Sequence, residues 1–321
     1  MKKAHHNSPY RGTRMWACVL GLLLFMFVSI PVHAQPETAP EWLPGLLEKE
    51  TITIVVTDSG LGGLSVVADA AEKFRQHSVF KKVELVFVSA LFSDQGGYNS
   101  LQTRDHKLKV FSNALQAMQD RYAPDIILVA CNTLSVLIPD TGFVQTSSVP
   151  VVGIVKSGVE QIAQQLQGKP AAKNIIFATQ TTVDEGTHKN QLLAKGFGDD
   201  QVLTQSCPQL TLYIEQEYDG AYTEMLIDAY VDEALSSMGA AGGPLSVSFN
   251  CTHFGYSLEF WKQAFESRGV KVDAFLDPNR LMVDFLLPVS HQHRYTQPDV
   301  SVKVVSMIEI PVGSQDSIGR Y

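Results

Sequence analysis

Cysteine and basic residues are both scarce in this chain. Four cysteines occur among 321 residues, and 25 Lys and Arg stand against 33 Asp and Glu. The acidic surplus disfavours nucleic acid and anionic membranes as partners, because both carry negative charge. Beyond Cys18 three cysteines remain, and this odd number argues against a disulfide framework and for at least one free thiol.

Several motifs of common enzyme classes are missing. The glycine turn at 60–63 is not followed by the Gly-Lys-Ser/Thr of a phosphate-binding loop, and it is a poor dinucleotide fingerprint. The chain has no Gly-x-Ser-x-Gly nucleophile elbow. Its histidines are scattered without the spacing of metal ligands, so no metal site is expected.

The longest apolar run lies near the N-terminus, and long apolar runs are otherwise lacking. Basic residues precede Trp16–Ile30, and Val32-His33-Ala34 resembles a signal-peptidase site. A run of about 15 residues is short of the roughly 20 that span a bilayer. We therefore expect a signal peptide at 1–34, cleaved after Ala34, export to the periplasm, and no stable membrane insertion of the mature protein. An uncleaved anchor is the alternative.

Cleavage after Ala34 would make the protein more acidic. The first 34 residues hold four basic and no acidic side chains, so the mature chain would keep 21 basic and 33 acidic residues, a net charge of −12. A small anionic substrate is still compatible with this charge, because a pocket can be locally positive.

Strand-like and helix-like segments alternate from Thr51 onward. The β-branched run Thr51–Thr57 predicts a strand, and the apolar spacing of Leu101–Tyr122 predicts a long helix. Such alternation indicates an α/β fold with parallel sheets. A strand, a cysteine-bearing turn and a helix occur once in each half, which suggests two pseudo-symmetric domains.

Two cysteines share one local setting. Cys131 follows the apolar run Ile126–Ala130, and Asn250-Cys251 follows the run Leu245–Phe249. The carboxyl ends of parallel strands are where α/β folds bind ligands. A thiolate near a helix N-terminus is a usable base, and two thiols on opposite faces of a carbon can remove and return a proton without a cofactor. Inert buried thiols and a disulfide between the two remain alternatives.

Polar side chains flank both cysteines. Asn132, Thr133 and Thr252 offer hydrogen-bond donors for a carboxylate or an amino group, although helix capping would use the same residue types. His253 can act as the proton partner of Cys251 or have a structural role. Asp58, at the end of the first strand, can bind a substrate ammonium group or orient Cys131, and a plain turn is the alternative.

Two further segments offer weaker signals. Thr179, Thr181 and Thr182 follow a predicted strand of the second half and can bind a carboxylate. Cys207 and Glu215 have a pattern that is more typical of structural residues.

Five segments resemble glutamate racemases, of the aspartate/glutamate racemase superfamily, and they occur in the family's order: Val56–Val66, Ala130–Thr133, Ala178–Val183, Ser206–Pro208 and Cys251–His253. The resemblance covers roughly residues 51–290. It implies a cofactor-independent two-base amino-acid racemase with two α/β domains and the active site in the cleft between them. Its substrate would be glutamate or aspartate.

The resemblance also implies roles for individual residues. Cys131 and Cys251 would be the bases, assisted by Asp58 and His253. The implied substrate-binding residues are Ser59, Gly97, Asn132, Thr133, Thr182 and Thr252. In the family the second domain is inserted into the first, which implies a linker at 35–50, a first domain at 51–150 plus 276–321, and a second at 151–275. The final helix would return to the first domain, and a homodimer is one option for the oligomeric state.

Three departures from the family keep alternatives open. The family has Pro-Tyr-Gly where this chain reads Gln95-Gly96-Gly97, and Phe254 is followed by Gly255 instead of proline. The family enzyme supplies D-glutamate for peptidoglycan in the cytoplasm, whereas this chain has an export signal. A hydantoin racemase, a decarboxylase, a cis-trans isomerase and a non-catalytic periplasmic amino-acid binding module are therefore kept as alternatives.

Overall fold

The computed structural model describes residues 39–93, 97–239 and 243–320. The described part contains nine strands, numbered β1 to β9 in chain order: Thr51–Asp58, Lys82–Ser89, Ile126–Val129, Val151–Gly153, Lys173–Ala178, Val202–Ser206, Leu245–Asn250, Ala274–Leu276 and Asp299–Ser306. It contains twelve α-helices, α1 to α12, besides short 3-10 turns: Trp42–Leu47, Leu64–His77, Arg104–Tyr122, Asn132–Ser135, Gly142–Thr146, Val155–Leu166, Gln180–Glu185, Thr187–Ala194, Leu210–Glu217, Ala221–Met238, Leu258–Ser267 and Val312–Gly319.

The long helix α3 begins three residues later than the apolar spacing predicts. Thr103 has extended backbone angles, and its hydroxyl accepts a hydrogen bond from the backbone nitrogen of His106. A threonine in this position caps the first turn, so the helix starts at Arg104.

The first sheet is parallel and has the strand order β4-β3-β1-β2-β9. Residues 54–58 of the central strand β1 are all buried, as expected for a parallel strand covered on both faces. Thr57 of β1 pairs with Val129 of β3. This register brings Asp58 beside Ala130, so that Cys131 leaves the sheet at the same edge.

The second sheet is also parallel, with the order β6-β5-β7-β8. Ala178 of β5 pairs with Asn250 of β7. The residues that follow them, Thr179 and Cys251, therefore leave this sheet side by side.

An aromatic cluster supports the turn after β7. The Trp261 ring on α11 is fully buried, with ring centroids 4.5 Å from Phe177, 5.3 Å from Phe249 and 5.8 Å from Phe254. Its indole nitrogen donates to the Phe254 carbonyl oxygen at 3.1 Å. Burying and bonding so large a ring fixes the backbone that carries Cys251.

The chain returns to the first sheet through a strand. The last strand, β9, pairs with β2 in parallel at the sheet edge. The final helix α12 packs instead against α9: Ser317 donates to the Ile214 carbonyl oxygen at 2.9 Å and accepts from the Tyr218 backbone nitrogen at 2.9 Å. The strand β9 thus returns to the first sheet, whereas α12 is held by hydrogen bonds to α9 and to the residue after it.

The two parallel sheets confirm the predicted fold class, two parallel-sheet α/β domains. The first sheet extends to Gly153, through the pairing of β4 with β3, and the domain boundaries given above remain predictions. The predicted signal peptide lies outside the described residues, as do Gln95 and Gly96. In the part of the chain described, no helix has the length and apolar content needed to cross a membrane.

Candidate active site

A cleft of about 400 Å³ opens where strands of both sheets end. The first sheet contributes Asp58 and Cys131, and the second contributes Thr179 and Cys251. The two cysteines are 5% and 4% exposed, and neither forms a disulfide. Two free thiols from opposite halves of the fold therefore line one cavity.

The Cys131 thiol has a polar partner and an acidic neighbour. Its sulfur lies 3.1 Å from the Ser59 hydroxyl oxygen. Burial raises the pKa of the Cys131 thiol to about 12, and the charge of Asp58 acts in the same direction. Cys131 is accordingly a protonated thiol at neutral pH.

Asp58 is itself fully buried. One carboxyl oxygen accepts from the Gly60 backbone nitrogen at 3.1 Å, and the other has no hydrogen-bond partner among the described residues. Burial raises the pKa of this carboxyl group, and the charge of His253 partly opposes that effect. A carboxyl group of this kind can hold or release a proton beside Cys131.

The Cys251 half of the site contains an imidazole instead. The His253 Nδ1 atom lies 3.8 Å from the Cys251 sulfur and 3.4 Å from the Thr252 hydroxyl oxygen. Its Nε2 atom lies 2.7 Å from a Glu215 carboxyl oxygen. Burial alone would lower the pKa of His253, but the hydrogen bonds to Cys251 and Glu215 raise it well above its ordinary value. The imidazole can therefore hold a proton next to the Cys251 sulfur.

The glycine-rich turn after β1 brings the two halves into contact. A Cβ atom added at Gly62 would lie 2.5 Å from the Thr252 hydroxyl oxygen and 2.6 Å from His253 Nδ1. The Tyr256 hydroxyl donates to the Gly62 carbonyl oxygen at 3.1 Å and accepts from the Ser65 backbone nitrogen at 3.1 Å. Glycine is required here because His253 packs directly on this backbone.

A chain of hydroxyl groups crosses the floor of the cleft. Thr179 Oγ1 lies 2.7 Å from Thr133 Oγ1 and 3.0 Å from Thr182 Oγ1. Thr179 also caps α7. Of these three residues, Thr133 and Thr179 line the cleft, and Thr182 lies behind Thr179. Thr179 therefore lines the cleft, although Thr182, and not Thr179, was among the predicted substrate-binding residues.

All other predicted site residues line the cleft: Asp58, Ser59, Gly97, Cys131, Asn132, Thr133, Cys251, Thr252 and His253. The residues of the lining that were not among the predicted site residues are Gly60, Leu91, Ser93, Tyr98, Asn99, Thr179, Thr211, Leu212 and Glu215. Glu215, interpreted above as structural, is the most consequential omission. Its position seven residues after Pro208, on the helix α9 that follows that proline, is the sequence signal that could have identified it.

In the described ranges no group of three or more His, Cys, Asp and Glu side chains could hold a metal ion. The cleft instead contains the chain Cys251–His253–Glu215 in one half and Cys131 with Asp58 in the other. Groups of these types can hold or release protons beside a bound ligand.

Comparisons with known proteins point to one class of enzyme. No family model matches the chain. A glutamate racemase of Nitratiruptor sp. is 27% identical over 201 residues, which cover 62% of this chain and 70% of that protein. The crystal structure of glutamate racemase from Campylobacter jejuni covers 83% of this chain and 96% of its own, with a TM-score of 0.63 and 18% identity. A glutamate racemase structure from Francisella tularensis in complex with D-glutamate covers 84% and 92%, with a TM-score of 0.59 and 18% identity.

The sequence similarity supports an isomerase of the racemase class. The proteins that this chain resembles, in sequence and in fold, are glutamate racemases.

Proposed function

We propose that the chain is an amino-acid racemase that inverts the α-carbon of glutamate, with aspartate as the second candidate substrate. The observation that carries this proposal is that two free thiols from opposite halves of the fold line one cleft, together with Asp58, whose charge acts on Cys131, and with His253, whose Nδ1 atom lies 3.8 Å from the Cys251 sulfur. The relatives that are glutamate racemases support the choice of glutamate.

The two thiols differ in their resting environment. Cys131 faces a buried carboxyl group, and burial together with Asp58 keeps it protonated. Cys251 faces His253, which lies within proton-exchange distance and is paired with Glu215. In the proposed mechanism, Cys251 first gives its thiol proton to His253 and then, as a thiolate, removes the α-proton, while the Cys131 thiol donates its proton to the opposite face of the carbon.

The reverse direction uses the same groups in exchanged roles. Cys131 must first lose its proton, and Asp58 is the neighbouring group that can accept it because burial raises the pKa of its carboxyl group. Protonated Cys251 then supplies the proton to the other face. No external carrier is needed, because each removed proton is balanced by one that is returned.

The substrate would be held by donors around the two thiols. In this proposal Asn132, Thr133 and Thr252 bind the α-carboxylate and amino groups, and Ser59 and Gly97 contact the remainder of the molecule. Thr182 would act indirectly, through its hydroxyl contact with Thr179. Holding the α-carbon between two fixed thiols is the main requirement for two-base chemistry.

Proton exchange in deuterium oxide tests the proposal. Purified protein would be kept reduced and incubated with L- and D-glutamate and with L- and D-aspartate, and the products followed by NMR and chiral chromatography. We expect the opposite enantiomer to appear with deuterium at its α-carbon. Cys131→Ala and Cys251→Ala should each lower the racemisation rate by more than about a hundredfold, because each removes an acid–base group.

The same experiment separates the alternatives. Folded protein that exchanges no α-proton of any amino acid tested would overturn the racemase proposal. Binding without exchange would identify an amino-acid binding module. Loss of carbon dioxide, or turnover of a hydantoin, would identify a relative with other chemistry.

We also infer export, on the basis of the residues at 1–34 alone. The full chain would be expressed in a bacterial host and the mature protein isolated from the periplasm. A mature N-terminus at Gln35 would support export, whereas full-length protein retained in the cytoplasm or the membrane would contradict it.

A further inference from the structure

A buried histidine outside the predicted site contacts one of the residues beside Cys131. His188 lies on α8, is 2% exposed, and its Nε2 atom is 3.1 Å from the Asn132 Oδ1 atom. Asn132 begins the short helix α4 after β3 of the first sheet, whereas α8 follows β5 of the second sheet. The two residues therefore belong to different halves of the fold. His188 does not line the cleft itself, whereas Asn132 does.

The chemistry of this contact determines which atom carries the proton. An amide oxygen only accepts hydrogen bonds, so the Nε2 atom of His188 must be the donor. Burial lowers the pKa of His188 to about 4, so the imidazole is neutral at physiological pH. Its single proton is then on Nε2, the tautomer that this hydrogen bond requires.

The contact also orients the Asn132 amide group. With Oδ1 held by His188, the Nδ2 group must point the other way. It is buried, and it has no hydrogen-bond partner among the described residues. An unpaired buried donor is destabilising, and Asn132 lines the cleft although it is only 1% exposed. The donor is therefore available for a bound ligand.

The His188 ring is itself held in place. A Cβ atom added at Gly158 on α6 would lie 3.7 Å from His188 Cδ2 and 2.6 Å from the Asn250 Nδ2 atom. The absence of a side chain at Gly158 thus leaves room for the two polar side chains that pack there, one of them next to Cys251 in the sequence.

We infer that His188 is a positioning residue, which holds the Asn132 carboxamide so that its N–H group meets a carboxylate oxygen of the bound amino acid. This inference rests on the proposed racemase function. His188 does not touch the substrate and takes no part in proton transfer. It fixes the direction of a donor that could otherwise rotate.

The test compares variants that keep or remove the donor. His188→Gln can present an amide N–H near the position of Nε2, whereas His188→Leu cannot donate and the His188→Asn side chain is too short. We expect His188→Leu and His188→Asn to raise KM about tenfold, the effect of one hydrogen bond, with kcat changed by less than about twofold because the bond persists in the transition state. His188→Gln should restore most of the affinity. Gln191→Leu, exposed on the same helix, is the matched control.

A double-mutant cycle distinguishes positioning from a general effect on stability. If His188 acts through Asn132, His188→Leu should have no further effect on KM in the Asn132→Ala background. Equal effects in both backgrounds would overturn the inference, as would unchanged KM in both His188→Leu and His188→Asn. If His188→Leu does not fold, the cycle is run with His188→Asn. Wild-type protein that exchanges no α-proton would instead overturn the proposed function, and affinity for glutamate measured by calorimetry would then replace KM in the same cycle.

Discussion

One Glu215 carboxyl oxygen lies 2.7 Å from His253 Nε2 and 2.7 Å from the Leu61 backbone nitrogen. Glu215 belongs to α9, which follows the second sheet's edge strand, whereas Leu61 belongs to the turn after β1. The same atom therefore orients the imidazole beside Cys251 and ties the two halves of the fold together.

Replacing Glu215 should reduce stability within a defined pH window. His253 has a raised pKa, so its contribution to stability is complete below its ordinary value of 6.5 and is lost as pH rises through the raised pKa. Burial would raise the pKa of Glu215, but the hydrogen bond to His253 lowers it. The contribution of Glu215 to stability is therefore complete above pH 4.5, its ordinary pKa, and is lost as pH falls through the lowered pKa. Both contributions are complete between pH 4.5 and pH 6.5. In that window Glu215→Gln should destabilise the protein by about 2 kcal/mol.

Urea unfolding across pH measures this effect. The difference in unfolding free energy between wild type and Glu215→Gln should shrink when pH rises above the pKa of His253 and when it falls below that of Glu215. Glu259→Gln, which removes an exposed carboxylate paired with Lys262, is the control and should change stability by less than about 1 kcal/mol. A difference for Glu215→Gln that stays constant with pH would contradict the ion pair.

Asp58→Asn should make the Cys131 thiol easier to ionise. Burial is the larger cause of its raised pKa, and the charge of Asp58 is the second. Removing that charge lowers the pKa of Cys131, so alkylation by iodoacetamide in mildly alkaline solution should become faster. Racemisation should become slower, because the group that accepts the Cys131 proton has been lost.

Peptide mass spectrometry can follow Cys131 separately, with alkylation of Cys207 as the internal reference. Burial raises the pKa of Cys207 well above its ordinary value, so this thiol should react slowly in both proteins. An unchanged or slower reaction of Cys131 in Asp58→Asn would show that Asp58 does not control its ionisation.

Gly62→Ala should impair catalysis through contact with His253. The added methyl group would lie 2.5 Å from the Thr252 hydroxyl oxygen and 2.6 Å from His253 Nδ1. One of these groups must move, with an expected loss of about 1–3 kcal/mol in stability and a lower kcat. Gly45→Ala is the control, because nothing lies within 4 Å of its added Cβ. Thermal unfolding and kcat would be measured for both variants. Equal changes in stability and kcat in Gly62→Ala and Gly45→Ala would refute the close contact of His253 and Thr252 with the Gly62 backbone.

Thr179→Val should weaken both α7 and the cleft floor. Valine keeps the shape but removes the hydroxyl that lies 2.7 Å from Thr133 and 3.0 Å from Thr182. Loss of the helix cap and of these bonds should reduce stability by about 1–2 kcal/mol and raise KM for the amino acid. Thr179→Ser should recover most of both. A serine variant as impaired as the valine variant would contradict the role of the hydroxyl, because serine retains it.

Local sequence patterns predicted the α/β fold and the strand ends that carry Asp58, Cys131 and Cys251. They could do so because a buried parallel strand is a short run of apolar and β-branched residues, and its end is marked by polar and small residues. The first parallel sheet brings the ends that carry Asp58 and Cys131 to one edge, whereas Cys251 leaves the second sheet and lines the same cleft only because of how the two sheets pack.

Tertiary structure alone decided the partners of these residues. Glu215 reaches His253 across 38 positions, and His188 reaches Asn132 across 56. Neither pairing leaves a periodic signal, because it depends on how one helix packs beside a turn from another part of the chain. The position of Thr179 in the lining of the cleft, with Thr182 outside it, was likewise set by tertiary structure. The sequence by itself determined which strand ends carry reactive groups, and three-dimensional packing determined the direction, burial and protonation of each.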